Sequence, residues 1–499
     1  KFDGFYIQKR SLRDYELDIG SNFLGYIAEV NNGIIKAKPY YKSGDLIGKQ
    51  GVEQYYEEDL RGVRGVKYIQ KDRFNNDLGS YKNGSYDTLP QKGHDLSLTI
   101  DAELQTYGRK LMKNKRGGIV AIQPKTGEIL SLITEPTYDP SILIGRKRSR
   151  NYTKIYHDSI TRPLYNRALQ AQYAPGSPFK VLTGLIALQE NAVGLNESYS
   201  CYGGFQYARG QVMGCHNHPN PISMINGIAH SCNSYFSRIY LKTINKFETP
   251  QKGIQVWHDH LNSFGLGQYL GYDLPVGRKG FIPDSTYYNR MYQYPTYKWY
   301  ATANISNAIG QGEVLTTPIQ LANVTATIAN RGWYIKPHIL KSIDGNAIKD
   351  TTYTKKHYTT IDKKHFEPIV EGMHQVYKYG TAKWVQIPDI EIGGKTGTAE
   401  NKKVIDGEVV QLKDHSIFVA FAPVDDPEIA IAVFIEHGYW GSRYAGKIAS
   451  LMIEKYIKRE ITRTDLERWL LENSPKEDYE KIDFMIKNDS ILENLNLNE

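Results

Sequence analysis

The stretch Ala174-Pro175-Gly176-Ser177-Pro178-Phe179-Lys180 sets a serine and a lysine three residues apart, directly ahead of the apolar run VLTGLIAL at 181–188. Residues three apart share one face of a helix. Pro178 suits a first helical turn and Gly176 permits a tight entry, so Ser177 is expected at a helix N-terminus. There the positive end of the peptide dipole favours a developing alkoxide. Lys180, one turn on, is within reach of that hydroxyl. A free lysine, with a pKa of about 10.4, is almost wholly protonated at neutral pH. Burial among Phe179, Leu182 and Leu185, the dipole and a second cation would lower it; a drop of about three units needs roughly 4 kcal/mol. The pair reads as a nucleophile and its base. The opposing reading is an ordinary helix start with a surface lysine.

Two companions weigh against that opposing reading. This is the only S-x-x-K in the chain, and it is followed in order by Ser231-Cys232-Asn233 and by Lys395-Thr396-Gly397-Thr398. Lys125-Thr126-Gly127 also reads K-T-G, but it falls in a turn ahead of the nucleophile. Ser149-Arg150-Asn151 also reads S-x-N, but it lies in a basic segment preceding Ser177. Only the set beginning at 177, 231 and 395 has the order S-x-x-K, S-x-N, K-T-G.

Around these motifs the chain reads as α+β. Asp101 is a candidate N-cap for a helix whose stripe is Leu104, Tyr107, Leu111 and Met112. Two apolar strands at 118–134 flank a Pro-Lys-Thr-Gly turn and predict a hairpin. From 175 to about 331 the pattern is mostly helical. Strands return at 390–400, 415–423 and 428–438, the last two joined by Asp425-Asp426-Pro427, and a helix follows at 444–458. Strands at both ends of the segment therefore bracket a helical middle, and distant chain completes one sheet. The first 95 residues read as a non-catalytic module of mixed structure, with Glu57 and Glu58 on a helix surface. The tail from about 461 is charged and is expected to be peripheral or partly disordered.

Length and composition bound the class. A chain of 499 residues calls for two or three domains. Its net charge of +8 is scattered and reads as a solvated surface. No zinc-finger pair or RNA-binding signature argues for nucleic acid. No window approaches the roughly 18 apolar residues of a membrane span. The first residue is Lys1, so a natural N-terminus carrying a membrane anchor is expected upstream.

The three motifs together resemble those of the penicillin-recognising acyl-serine transferases. GIVAIQPKTGEILSL, GQGEVLTTPIQLA and FVAFAPVDDPEIAIAVFIE resemble the transpeptidase domain of class B penicillin-binding proteins. Upstream, GYIAEV, YYKSGDLIGKQGVEQYYEEDLRGVRG and TIDAELQ are similar to the elongation-type subgroup, penicillin-binding protein 2. The resemblance implies part of a pedestal at 1–95, a transpeptidase domain at 96–460 built on a five-stranded antiparallel sheet with helices, and a tail at 461–499. It implies a peptidoglycan D,D-transpeptidase working through an acyl-serine, inhibited by β-lactams, on the periplasmic face of the bacterial inner membrane.

By the same resemblance Ser177 is the nucleophile and Lys180 its base. Ser231 passes a proton to the leaving D-alanine, and Asn233 holds Lys180 and the substrate amide. Lys395 supplies positive charge, and Thr396, Gly397 and Thr398 bind the substrate, the two threonines at its carboxylate. No cofactor is needed for catalysis. The implied partners are stem peptides, a glycosyltransferase of the shape, elongation, division and sporulation family and a rod-shape scaffold protein. The alternatives are a carboxypeptidase or β-lactamase with the same motifs, and a β-lactam sensor or scaffold.

All three cysteines fall between 201 and 232, one of them inside S-x-N. Cys201, Cys215, His218 and Cys232 make a donor set suited to a structural zinc that would tie the 201–218 loop to Ser231 and Asn233. His216 is the rival ligand, and a Cys201–Cys215 disulfide the rival chemistry. Neither this cysteine nor the CHNH loop belongs to the general family pattern.

Overall fold

The computed structural model describes residues 13–348, 350–405 and 407–496. Its catalytic half is organised by one sheet. Helix α1 (Ala102–Met112) begins at Asp101, whose carboxylate accepts from Leu104 N at 3.0 Å, and buries the expected stripe Leu104, Tyr107, Leu111 and Met112. The hairpin β1 (Gly117–Ile122) and β2 (Ile129–Glu135) turns at the Pro-Lys-Thr-Gly segment. The long excursion between this hairpin and the rest of the sheet carries α2 (Phe179–Gln189), α3 (Asn233–Asn245) and α4 (Pro318–Ala329).

The chain then returns as β3 (Gly393–Ala399), β4 (His415–Ala422) and β5 (Ile429–Ile435), and the fully antiparallel sheet has the order β3-β4-β5-β1-β2. The inner strands are apolar without alternation because both faces are covered. Helix α4 crosses β5, β1 and β4 on one side; α1 and α5 (Ala445–Lys458) cover the other. Two strands come from before the excursion and three from after it, so among the described residues β3 ends at the sheet's edge with β4 as its only neighbour.

Helix α2 is buried at every position from Phe179 to Leu188. A helix apolar on all sides belongs inside a domain. Lys180 is therefore carried into the core by its neighbours.

The module ahead of the catalytic half is made of short elements, among them the strand pair Ile27–Glu29 with Leu46–Gly48 over a small core of Val30, Tyr41 and Ile47. It joins the catalytic half through buried polar contacts. Tyr56 OH donates to Asp273 Oδ2 at 2.6 Å, and that wholly buried carboxylate also accepts from Ile339 N at 2.8 Å and Leu340 N at 2.9 Å.

Three expectations need correction. Glu57 is buried, accepting from Tyr41 OH and Gly48 N, both at 2.7 Å, while Glu58 is the exposed member of the pair. Inside the helical excursion a hairpin forms, Gly204–Ala208 with Gln211–Gly214. The tail from 461 is ordered helix, Thr464–Glu472 and α6 (Lys476–Asn496). It docks because Leu470 is buried, Tyr479 OH donates to Glu436 O at 2.8 Å and Arg116 Nη1 donates to Asp483 Oδ1 at 2.7 Å. Among the described residues no helix is long and apolar enough to cross a membrane.

Candidate active site

Ser177 is half-buried, two residues before the first residue of α2, and its carbonyl accepts from Lys180 N at 3.1 Å. Its loop lies directly on β3. Gly176 has φ of +61°, and a Cβ there would stand 2.7 Å from Thr398 O. A Cβ on Gly397 would stand 2.6 Å from the Pro178 ring. Both positions tolerate only glycine, so the nucleophile's loop is clamped against the edge strand.

Lys180 is wholly buried, and its Nζ donates to Ser231 O at 2.7 Å and to Asn233 Oδ1 at 2.6 Å, with Ser231 Oγ at 3.1 Å. Ser177 is not among these partners, so the lysine reaches toward the S-x-N motif first. Ser231 adopts φ of +57°, a conformation that costs a serine free energy and persists where surroundings impose it. Asn233 opens α3, and its Nδ2 donates to Gly214 O at 2.8 Å, which orients its amide oxygen toward Lys180. The unforeseen hairpin thus supplies the carbonyl that positions Asn233.

Strand alternation sorts the third motif. Thr396 and Thr398 face the cleft, whereas Lys395 points behind it, wholly buried, donating to Thr396 O at 3.2 Å. Burial pushes both lysines down. Lys180 is lowered to about 8, with the charge of Cys215 and Cys232 pulling the other way. Lys395 falls well below its ordinary range, through burial and then the charge of Lys180. A lysine near 8 keeps a usable neutral fraction at pH 7 and is competent as a base.

Ser177, Ser231, Asn233, Thr396 and Thr398 line one cavity of about 520 Å³. Its rim holds residues that sequence reasoning did not single out. Gln311 Nε2 donates to Thr398 O at 3.2 Å, Thr381 and Thr396 share a hydroxyl contact at 2.7 Å, and His216 and Trp440 complete the walls. Gln311 lies in the quoted GQGEV segment, yet nothing in a lone glutamine announces this role. The two decoys lie elsewhere. Lys125 pairs with Asp426 at the hairpin turn, and Ser149 is on the helix Arg148–Tyr156.

Beside this cavity, Cys201, Cys215, His218 and Cys232 bring one ligand atom each to within 4.8 Å of one another, and all three cysteines are free thiols. Cys215 Sγ is 3.9 Å from Cys232 Sγ and 3.6 Å from His218 Nε2. A tetrahedral zinc with ordinary bond lengths implies edges of ~3.8 Å between sulfurs and ~3.6 Å from sulfur to nitrogen. His218 Nδ1 contacts Pro219 O at 2.9 Å, leaving Nε2 for the cluster, while His216 Nε2 is taken by His230 O at 2.8 Å. Of the two histidines, His218 is the one gathered with the thiols. The donor set fits zinc.

Residues 117–454 match the penicillin binding protein transpeptidase domain, and residues 1–98 match the penicillin-binding protein dimerisation domain. The chain is 33% identical to the peptidoglycan D,D-transpeptidase MrdA of Acinetobacter baumannii over 90% of its own length and 66% of that protein's. It is 28% identical to MrdA of Escherichia coli strain K12 over 84% of its length and 67% of that protein's. It therefore spans about two thirds of these curated relatives.

Among solved structures, Pseudomonas aeruginosa PBP2 in complex with WCK 5153 superposes with a TM-score of 0.73 at 30% identity, covering 90% of this chain and 93% of that one. Helicobacter pylori PBP2 in complex with MreC gives 0.72 at 25% identity, covering 88% and 77%. A peptidoglycan synthase complex that coordinates polymerization and crosslinking gives 0.78 at 27% identity, covering 92% and 78%. With a domain match across most of the chain and all three motifs in one cleft, this chain belongs to the transpeptidase family of penicillin-binding proteins.

Proposed function

We propose that the chain is a peptidoglycan D,D-transpeptidase that cross-links stem peptides through an acyl-serine on Ser177. The observation that carries this is the single cavity lined by Ser177, Ser231, Asn233, Thr396 and Thr398, with Lys180 buried against the second motif. In its neutral form Lys180 accepts the Ser177 proton as Oγ attacks the carbonyl of the penultimate D-alanine. Ser231 relays a proton to the departing D-alanine amine, the C–N bond breaks, and the acyl-enzyme remains. An amine from a neighbouring stem then attacks that ester, forms the cross-link and returns the proton to Ser177.

Among the described residues the edge position of β3 leaves its outer backbone amides unclaimed by a further strand, which suits Thr398 N as an oxyanion donor, with Ser177 N the second on the loop clamped against it. Each such donor is worth roughly 3 kcal/mol at the transition state. The Thr396 and Thr398 hydroxyls take the terminal carboxylate, with the buried lysine pair behind them.

Intact-mass measurement after penicillin treatment tests the reading. One adduct on the wild type and none on Ser177→Ala is expected; an adduct that survives the substitution overturns it. A long-lived adduct favours the transpeptidase, whereas rapid release of hydrolysed penicillin favours a carboxypeptidase or β-lactamase.

The thiol cluster is read as a structural zinc site held by Cys201, Cys215, His218 and Cys232. Four protein ligands leave no open position, so its part is to brace the Ser231–Asn233 wall. One equivalent of zinc in protein purified without added metal is expected, falling at least tenfold in Cys215→Ser; a stoichiometric disulfide in the wild type overturns it.

The division into a pedestal at 1–95, a catalytic domain at 96–460 and a tail is part of the same reading. It is supported by the pairing of Leu96–Leu98 with Leu340–Ile343 inside the catalytic half. The relatives' named complexes, one with MreC and one a synthase that coordinates polymerization and crosslinking, support an assembly with a rod-shape scaffold and a polymerising glycosyltransferase. The same reading puts the chain at the periplasmic face of the inner membrane.

A further inference from the structure

The catalytic cavity shares Thr398, Glu400, Asp414 and Trp440 with a second cavity of about 710 Å³, whose far wall is α6. A third cavity, of about 510 Å³, has no described lining residue in common with either. It lies where the module ahead of the catalytic half meets that half. Tyr26, Lys49 and Gln54 come from the module; Tyr152, Tyr156 and Arg162 come from the segment leading to Ser177. We propose that this third cavity binds the glycan of an uncross-linked strand, with tyrosine faces under the sugar rings and the cations on the carboxylates of its stems. The choice of polymer rests on the transpeptidase reading above; the chemistry the ligand must have does not.

The rings make the floor. Tyr152 and Tyr156 stand four apart on the helix Arg148–Tyr156, hence on one face of it. Their rings stack with centroids 5.7 Å apart and 27° between planes, and Tyr26 meets Tyr152 at 5.8 Å. Tyr156 is 63% exposed, so its face is open to a ligand. The negative face of an aromatic ring attracts the polarised C–H groups of a pyranose, while the hydroxyl stays wet. Gln50 fixes the two sides together, donating to Leu164 O at 3.0 Å and accepting from Tyr138 OH at 2.6 Å. The cavity is thus built into the junction of the two parts.

Its charge is unbalanced. Lys49 and Arg162 have no ion-pair partner among the described residues, and Arg162 spends only Nε, on Ser159 O at 3.1 Å. Burial and then the charge of Arg148 hold Lys49 below its ordinary range, so an arriving carboxylate relieves a like-charge contact. Asp158, the one carboxylate among the described lining residues, is already engaged by Ile160 N at 3.1 Å, Thr161 N at 2.8 Å and the Thr161 hydroxyl. Residues 140–157 carry five basic side chains and no carboxylate, and Arg146 and Arg148 wall a smaller cavity of about 270 Å³ at the start of the same helix. The Gln54 amide and Gln170 Nε2 have no partner among the described residues and offer hydrogen bonds to acetamido groups. An anionic bilayer would use the cations but not tyrosines in a concave wall. An uncharged glycan would use the tyrosines but not the cations. Acetylated sugar rings carrying acidic peptides use both.

The test uses the full chain first acylated with penicillin, which closes the catalytic cleft to stems. Fluorescence anisotropy reads its binding of a labelled uncross-linked strand with tetrapeptide stems and of the same strand stripped of its stems. Co-sedimentation reads its binding to phosphatidylglycerol vesicles. The stem-bearing strand is expected to bind about tenfold tighter than the stripped one. Tyr152→Ala/Tyr156→Ala should weaken both strands about tenfold. Lys49→Ala/Arg162→Ala should bring the two strands to equal affinity. Both variants should take penicillin at the wild-type rate, which shows them folded.

No strand binding by the acylated wild type overturns the proposal, and that result needs no variant to fold. Equal wild-type affinity for the two strands overturns it too, as do affinities unchanged in both variants or tighter binding to the vesicles than to the strand. A wild type that takes no penicillin overturns the reading of the function instead, and strand binding by the unmodified chain and the same variants then decides for or against this cavity.

Discussion

The two adjoining cavities differ in how they hold charge. Behind the catalytic one sit two lysines, both wholly buried and both pushed below their ordinary pKa. In its neighbour, three carboxylates and three ammonium groups stand in partly solvated walls, and Trp440, about half exposed, marks the border. The first arrangement generates reactivity, because a low dielectric strips a lysine of its proton. The second leaves its charges in reach of water, where they can exchange partners at little cost.

The contrast breaks most severely at Lys180. Lys180→Ala is expected to slow penicillin acylation by between about 10²- and 10⁴-fold, the range a positioned base contributes. A second-order rate constant measured by intact mass reads this; a loss under tenfold would move the base elsewhere. Next comes the pH profile. Burial lowers Lys180 to about 8 and the neutral form is the base, so acylation should fall tenfold per unit below that value and level above it. A rate still climbing at pH 10 would mean that burial does not strip Lys180 of its proton.

The smallest kinetic effect belongs to the terminal helix behind that second cavity. Arg116 meets Asp483 with side chains 13% and 18% exposed, so Arg116→Ala should cost roughly 1.5–3 kcal/mol of unfolding free energy in urea titration. Penicillin acylation should stay within about twofold. A larger kinetic effect would tie the terminal helix to the chemistry itself.

What the sequence made readable follows the same division. Ser177, Lys180, Ser231, Asn233 and Lys395 stood out because one reaction demands those residue types in that order. The sheet was legible because its strands, such as 429–435, are uninterrupted apolar runs. The hairpin at 204–214 was not, since its strands GFQYA and QVMG are half-buried to exposed and bear no clean alternation. The tail misled through its charge: it is fastened by a few residues, Leu470, Tyr479 and Ile482, set in a polar helix surface. The second cavity was unreadable for another reason. Its walls come from 398–414, 439–440 and 478–485, and only folding brings these together.

The contact between Gly176 and Thr398, and between Gly397 and Pro178, has a bearing on heritable change in this protein. No side chain can be inserted at either point without parting the loop from the strand, so substitution at these two glycines cannot reshape the surroundings of the reactive hydroxyl and keep the site assembled. Room for change without that cost lies on the outer walls, at exposed positions such as His216 and Trp440, where a new side chain meets solvent instead of backbone.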